Sequence, residues 1–120
     1  MLFSRRKKLA MGFTSCTLVY DWEKGKIIAQ APHEYVYGGC WEYCMNWSED
    51  GKLLAIGTTD NRVLIYHVDT EVLRGAIRLM NNYTLDDSWT FRAESVLFLS
   101  RDSELAVLSD GDIKMYTSRW

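Results

Sequence analysis

Three segments of this chain share one order of residues, and that repeat restricts the fold more than any other feature. Each has an aromatic or apolar residue, a serine, four turn-like residues and an apolar strand start: Phe3-Ser4 to Leu9-Ala10, Trp47-Ser48 to Leu53-Leu54-Ala55, and Leu99-Ser100 to Leu105-Ala106. A second apolar run follows in each copy and ends on tyrosine, as Thr17 to Tyr20, Val63 to Tyr66 and Ile113 to Tyr116. In the first two copies a polar turn leads to another run, Lys26-Ile27-Ile28-Ala29 and Leu73 to Leu79. Short runs rich in Val, Ile, Leu and Tyr, separated by turn residues, predict antiparallel sheet throughout. Glu49-Asp50-Gly51-Lys52 and Asp110-Gly111 place Asp and Gly where tight connections require them. No long segment has 3.6-residue apolar periodicity, and the single proline, Pro32, is placed in a loop. Each repeat therefore reads as a four-stranded antiparallel unit, with strands a, b, c and d in chain order. Four strands at a period in the forties are the sequence signature of a propeller blade.

The middle copy, Trp47-Ser48-Glu49-Asp50-Gly51-Lys52-Leu53-Leu54-Ala55-Ile56-Gly57-Thr58-Thr59-Asp60 followed by Val63 to Tyr66, resembles the WD40 repeat family. Leu9-Ala10-Met11-Gly12 with Val19-Tyr20-Asp21 is similar to a second copy, and Leu99 to Tyr116 to a third. The resemblance implies an all-β fold of antiparallel four-stranded blades from an incomplete WD40-like propeller. Blade-like units are expected at about 1–30, 40–80 and 94–120, with loops at 31–39 and 81–93. It also implies structural roles by position: Thr58, Asp60 and a preceding-loop His33 match the polar residues that lock a WD40 blade. Tyr66 stands where the family has Trp, able to bury its ring and offer a hydroxyl, and His67 stands where Asp follows.

Composition narrows the function. Hydrophobic residues make up 48% of the chain and aromatic residues 13%, too much for a disordered segment. No apolar run approaches a membrane-spanning length, and no apolar segment follows the basic Arg5 to Lys8 as a secretory signal would require. Three cysteines, Cys16, Cys40 and Cys44, at irregular spacing suit reduced thiols, so a cytoplasmic or nuclear location is expected. Cys40 and Cys44 lack the second tight pair of a zinc site, so neither metal nor cofactor is expected. No nucleophile signature or phosphate-binding glycine loop occurs, and His33 is the nearest histidine to Cys40 with nothing to position it. The expectation is therefore no catalytic residue.

Two segments between repeats stand out. Glu34 to Glu42 holds Tyr35, Tyr37 and Trp41, and Asn81 to Arg92 holds Tyr83, Asp86, Asp87, Trp89 and Phe91. By the repeat register both connect strand d of one blade to strand a of the next, and the resemblance puts such connections on one face around the central channel. Tyr35, Tyr37, Trp41, Tyr83, Asp86, Asp87 and Trp89 are the expected partner-binding residues, because exposed Tyr and Trp dominate protein interfaces. Trp41 and Phe91 have a plainer alternative, as parts of strand a or of the packing between blades. The leading function is a non-catalytic platform for other proteins, built on d–a and b–c loops. One alternative is a nucleic-acid-associated protein using the basic Arg5 to Lys8 turn and Arg62; the net charge of −2 gives it no overall field for that task. Another is a purely structural part of a larger propeller. At about 45 residues per blade, 120 residues give fewer than three blades. A piece with two open edges is expected to be a fragment of a larger propeller, to be covered by further blades from another chain or by self-association, or to curl into an incomplete sheet stack.

Overall fold

The computed structural model describes residues 2–5, 7–13, 16–32, 42–58, 62–70, 72–78, 93–99, 103–109 and 112–117. Eleven strands run in chain order: β1 (Leu2–Arg5), β2 (Lys8–Gly12), β3 (Cys16–Asp21), β4 (Lys26–Pro32), β5 (Glu42–Trp47), β6 (Leu53–Thr58), β7 (Arg62–His67), β8 (Val72–Arg78), β9 (Ala93–Phe98), β10 (Glu104–Ser109) and β11 (Asp112–Thr117). Neighbours in sequence pair antiparallel, giving sheets β1-β2-β3-β4 and β5-β6-β7-β8, and a third whose described strands are β9, β10 and β11. These are the repeat units with strands a, b, c and d side by side. Pro32 is the last residue of β4, opposite Cys16, rather than a loop residue. An edge strand tolerates proline because that strand has one unpaired side.

The sheets stack face to face. Alternation sends Met45, Trp47, Leu54, Ile56, Leu64 and Tyr66 of the middle sheet toward Ala10, Val19, Ala29 and Ala31 of the first. The residues between them, Cys44, Leu53, Ala55, Val63 and Ile65, meet Val96, Phe98, Leu105 and Val107 of the third. All six residues of β6 are consequently buried. Such a strand reads as a continuous apolar run because both faces need apolar cover. Along the stack β1, β5 and β9 come next to one another, so the a strands form one edge of the assembly.

Strand pairing also corrects the repeat alignment. Leu9, Leu54 and Leu105 are the equivalent residues, since each lies opposite the tyrosine of its c strand, Tyr20, Tyr66 or Tyr116. Their partners on strand a are Ser4, Trp47 and Phe98, so the three serines are not equivalent to one another. Turn length is the reason. In the first sheet Arg5 pairs with Lys8 and leaves a two-residue connection, in which Lys7 takes φ 64°. In the second, the connection runs from Ser48 to Leu53, and Gly51 supplies the left-handed residue at φ 73°. Serine spacing counted from sequence cannot see that difference.

Candidate functional site

Antiparallel order divides the connections between the two ends of the stack. The a–b and c–d turns share one end. The strand ends that flank the b–c loops, and those from which the d–a connectors leave and to which they return (Pro32 and Glu42, Arg78 and Ala93), share the other.

At the turn end, side chains satisfy the backbone of tight connections. Ser48, fully buried, accepts from the Leu53 amide through Oγ at 2.9 Å and donates to Asp50 Oδ1 at 2.8 Å. The same carboxylate oxygen accepts from the Lys52 amide at 2.9 Å. In the first c–d turn Asp21 Oδ1 accepts from the amides of Glu23 and Lys24, both at 3.0 Å. The Lys24 amide in particular holds the Asp21 carboxyl below its usual range. His67 occupies the equivalent place in the second sheet, and its Nδ1 accepts from the Thr70 amide at 3.3 Å, three residues on as in Asp21 to Lys24. The histidine that departs from the family pattern thus caps the same turn. Lys7 pairs with Glu23 at 3.5 Å, and Lys8 reaches Asp69 of the second sheet at 3.3 Å. Two of the basic residues considered as phosphate contacts are thereby held by carboxylates of the chain itself.

Side chains also brace one sheet against the next and close the b–c loops. Tyr66, 3% exposed, donates its hydroxyl to the Gln30 carbonyl of the first sheet at 2.9 Å. Thr17, fully buried, donates Oγ1 to the Met45 sulfur at 3.8 Å. Asn46 Nδ2 donates to the Val96 carbonyl at 3.1 Å, joining the second sheet to the third. Thr58, also fully buried, donates Oγ1 to the Arg62 carbonyl at 3.2 Å and so bridges the b–c loop of the middle sheet. Phe13 closes the first b–c loop through its amide to the Cys16 carbonyl at 2.8 Å, with its ring half exposed. Sequence reading overlooked the contacts of Lys8, Thr17 and Asn46 between sheets, since each joins residues distant in the chain. The signal available was a polar residue at an inward-facing strand position.

Removing the Tyr66 hydroxyl deletes its hydrogen bond to the Gln30 carbonyl. Tyr66→Phe is expected to lower unfolding free energy by about 1 kcal/mol, with the ring still packed. Urea titration of both proteins checks this.

Of the residues expected at the site, Thr58 and Tyr66 are the two within the described residues, and both lie where a blade meets its loop or its neighbour. His33, Asp60, Tyr35, Tyr37, Trp41, Tyr83, Asp86, Asp87 and Trp89 lie outside the described residues, as do Cys40 and Phe91. Among the described residues no three His, Cys, Asp or Glu side chains come together as metal ligands, and no helix is long and apolar enough to cross a membrane. Burial pushes the Cys44 thiol up to about 12, so it is protonated at neutral pH and unsuited to nucleophilic attack.

Comparison with known proteins agrees with this geometry. The family profile described as the anaphase-promoting complex subunit 4 WD40 domain matches residues 10–86. A solved chain in a structure described as the mitotic checkpoint complex superposes with a TM-score of 0.69 at 17% identity, covering 90% of this chain and 29% of that one. The β-propeller domain of Cps50 (Swd1) from Myceliophteria thermophila superposes with a TM-score of 0.72 at 12% identity, covering 97% of this chain and 38% of that one. This chain thus spans well under half the length of either. No curated protein matches it in sequence.

Proposed function

The chain belongs to the family described as the anaphase-promoting complex subunit 4 WD40 domain, and we propose that its stack of propeller blades is a non-catalytic platform on which another protein docks at the d–a and b–c end. WD40 propellers are in general scaffolds for protein–protein interaction. The single observation that carries the reading is the bracing of that end. There Thr17 ties the first sheet to the second, Thr58 bridges the b–c loop of the middle sheet and Phe13 closes that of the first. Loops anchored on a rigid stack bind with less ordering cost than free segments do.

The docking residues in this reading are Tyr35, Tyr37 and Trp41 of the first connector and Tyr83, Asp86, Asp87 and Trp89 of the second. Aromatic side chains supply the buried contact area, and the adjacent aspartates favour a partner with basic character. Similarity to a chain in a checkpoint-complex structure supports a place in a multi-protein assembly. The test replaces Tyr35, Tyr37 and Trp89 by Ala together. Partner capture is expected to be lost while the circular dichroism of the sheets stays the same. Undiminished capture by the triple variant would remove these residues from the site.

A further inference from the structure

Resting on that docking reading, we propose that Arg62 and Arg78 receive a carboxylate or phosphate of the docked protein, at the end of the middle sheet from which the second connector leaves. In the register of that sheet Arg62, the first residue of β7, lies directly opposite Arg78, the last residue of β8. Directly opposed residues share a face of a sheet, and like charges so placed destabilise the pairing. Alternation puts the pair on the face of Leu64 and Tyr66, which is turned to the first sheet. The middle sheet has a neighbour on either face, so the surroundings of the pair are set within the described stack. Arg62 is partly buried there, where repulsion between cations is screened less than at a fully exposed position.

In the first sheet the same kind of cost is offset by the chain. Arg5 lies opposite Lys8, but Lys8 lies opposite Asp21 on its other side and reaches Asp69. Lys26 also lies opposite Asp21. Beside Arg62, by contrast, β6 offers Thr58, whose hydroxyl donates to the Arg62 carbonyl, and β8 offers the second arginine. A guanidinium has several N–H donors and no acceptor, so one oxyanion between two of them is held from both sides, and a further contact of either arginine leaves donors to spare. Placement favours a protein over a nucleic acid. The pair lies at the opposite end of the strands from Lys7 and Lys8, so these cations do not line up as one phosphate-binding stripe. An acidic residue for this pair, with a basic one for Asp86 and Asp87, describes a partner segment of mixed charge.

Fluorescence polarisation of a labelled hexaglutamate peptide with the full chain at low salt tests this. Arg62→Gln and Arg78→Gln are each expected to weaken binding about tenfold. Arg62→Lys is expected to recover only part of the loss, because an ammonium cannot hold an oxyanion through two parallel hydrogen bonds. Lys24→Gln, at the turn end, is expected to leave binding unchanged. Neither arginine substitution is expected to lower the urea midpoint, since each removes a like-charge pair. No binding by the wild type, or equal binding by the wild type and both arginine variants, overturns the proposal; in the second case a carboxylate of the chain's own loops occupies the pair. A loss as large on Lys24→Gln overturns it too, by showing attraction without a site. Tighter binding of a hexaphosphoserine peptide assigns the pair to phosphate, and tighter binding of hexaglutamate assigns it to carboxylate. A single-stranded oligonucleotide of equal charge that outbinds both peptides overturns the assignment to a protein. Partner capture by the variant lacking Tyr35, Tyr37 and Trp89 judges the docking reading separately, so the two fail by different measurements.

Discussion

Leu54→Ala is expected to lower the free energy of unfolding by about 3 kcal/mol, measured by urea titration with tryptophan fluorescence. Leu54 lies in β6, which is buried along its whole length, and has no exposed surface. Its neighbours on that face include Met45, Trp47, Ile56 and Leu64 from the same sheet and Val19 from the first. Truncation removes apolar contacts from both sheets and leaves a void that paired strands on either side cannot collapse to fill. Stabilities of whole domains are about 5–15 kcal/mol, so the loss is a large share of what holds the stack together. A loss below about 1 kcal/mol would mean that the first and second sheets do not share a packed core.

Ser48→Ala is expected to cost about 2 kcal/mol, although it deletes a single oxygen. That oxygen accepts from the Leu53 amide and donates to Asp50, which in turn accepts from the Lys52 amide. Both Ser48 and Leu53 are buried, so the stranded amide gains no water in exchange. The turn also sets the register of β5 against β6, since the Ser48 amide donates to the Leu53 carbonyl at the same point. Ser48→Thr retains the hydroxyl and is expected to recover part of the loss. Equal unfolding midpoints for the wild type and Ser48→Ala would show that the serine does not lock this turn.

Much of the architecture was legible because a propeller blade repeats locally. Apolar runs ending in Tyr20, Tyr66 and Tyr116 mark the c strands, and the alternation on either side of Leu54 and Ala55 encodes two buried faces. What the sequence concealed were quantities set by geometry between distant residues. Counting from serine to leucine treated the turns of Arg6-Lys7 and of Glu49 to Lys52 as alike, and only pairing with the tyrosines separates them. Lys8 looked like a free cation until the second sheet brought Asp69 to it. His67 looked like a departure from the family pattern, yet its ring nitrogen performs the capping that Asp21 performs one sheet earlier. The aromatic connectors were conspicuous by composition alone, but which of their side chains meet a partner depends on shape that composition does not carry.

The central claim is that a partner docks at the end of the stack where the d–a connectors and b–c loops gather. Hydrogen exchange on the full chain, with and without a captured partner, measures it directly. Slowed exchange is expected across 33–41 and 79–92 and in the b–c loops at 13–15 and 59–61, with the turns at 22–25 and 48–52 unchanged. Slowing confined to those turns, with the connectors unaffected, would contradict it.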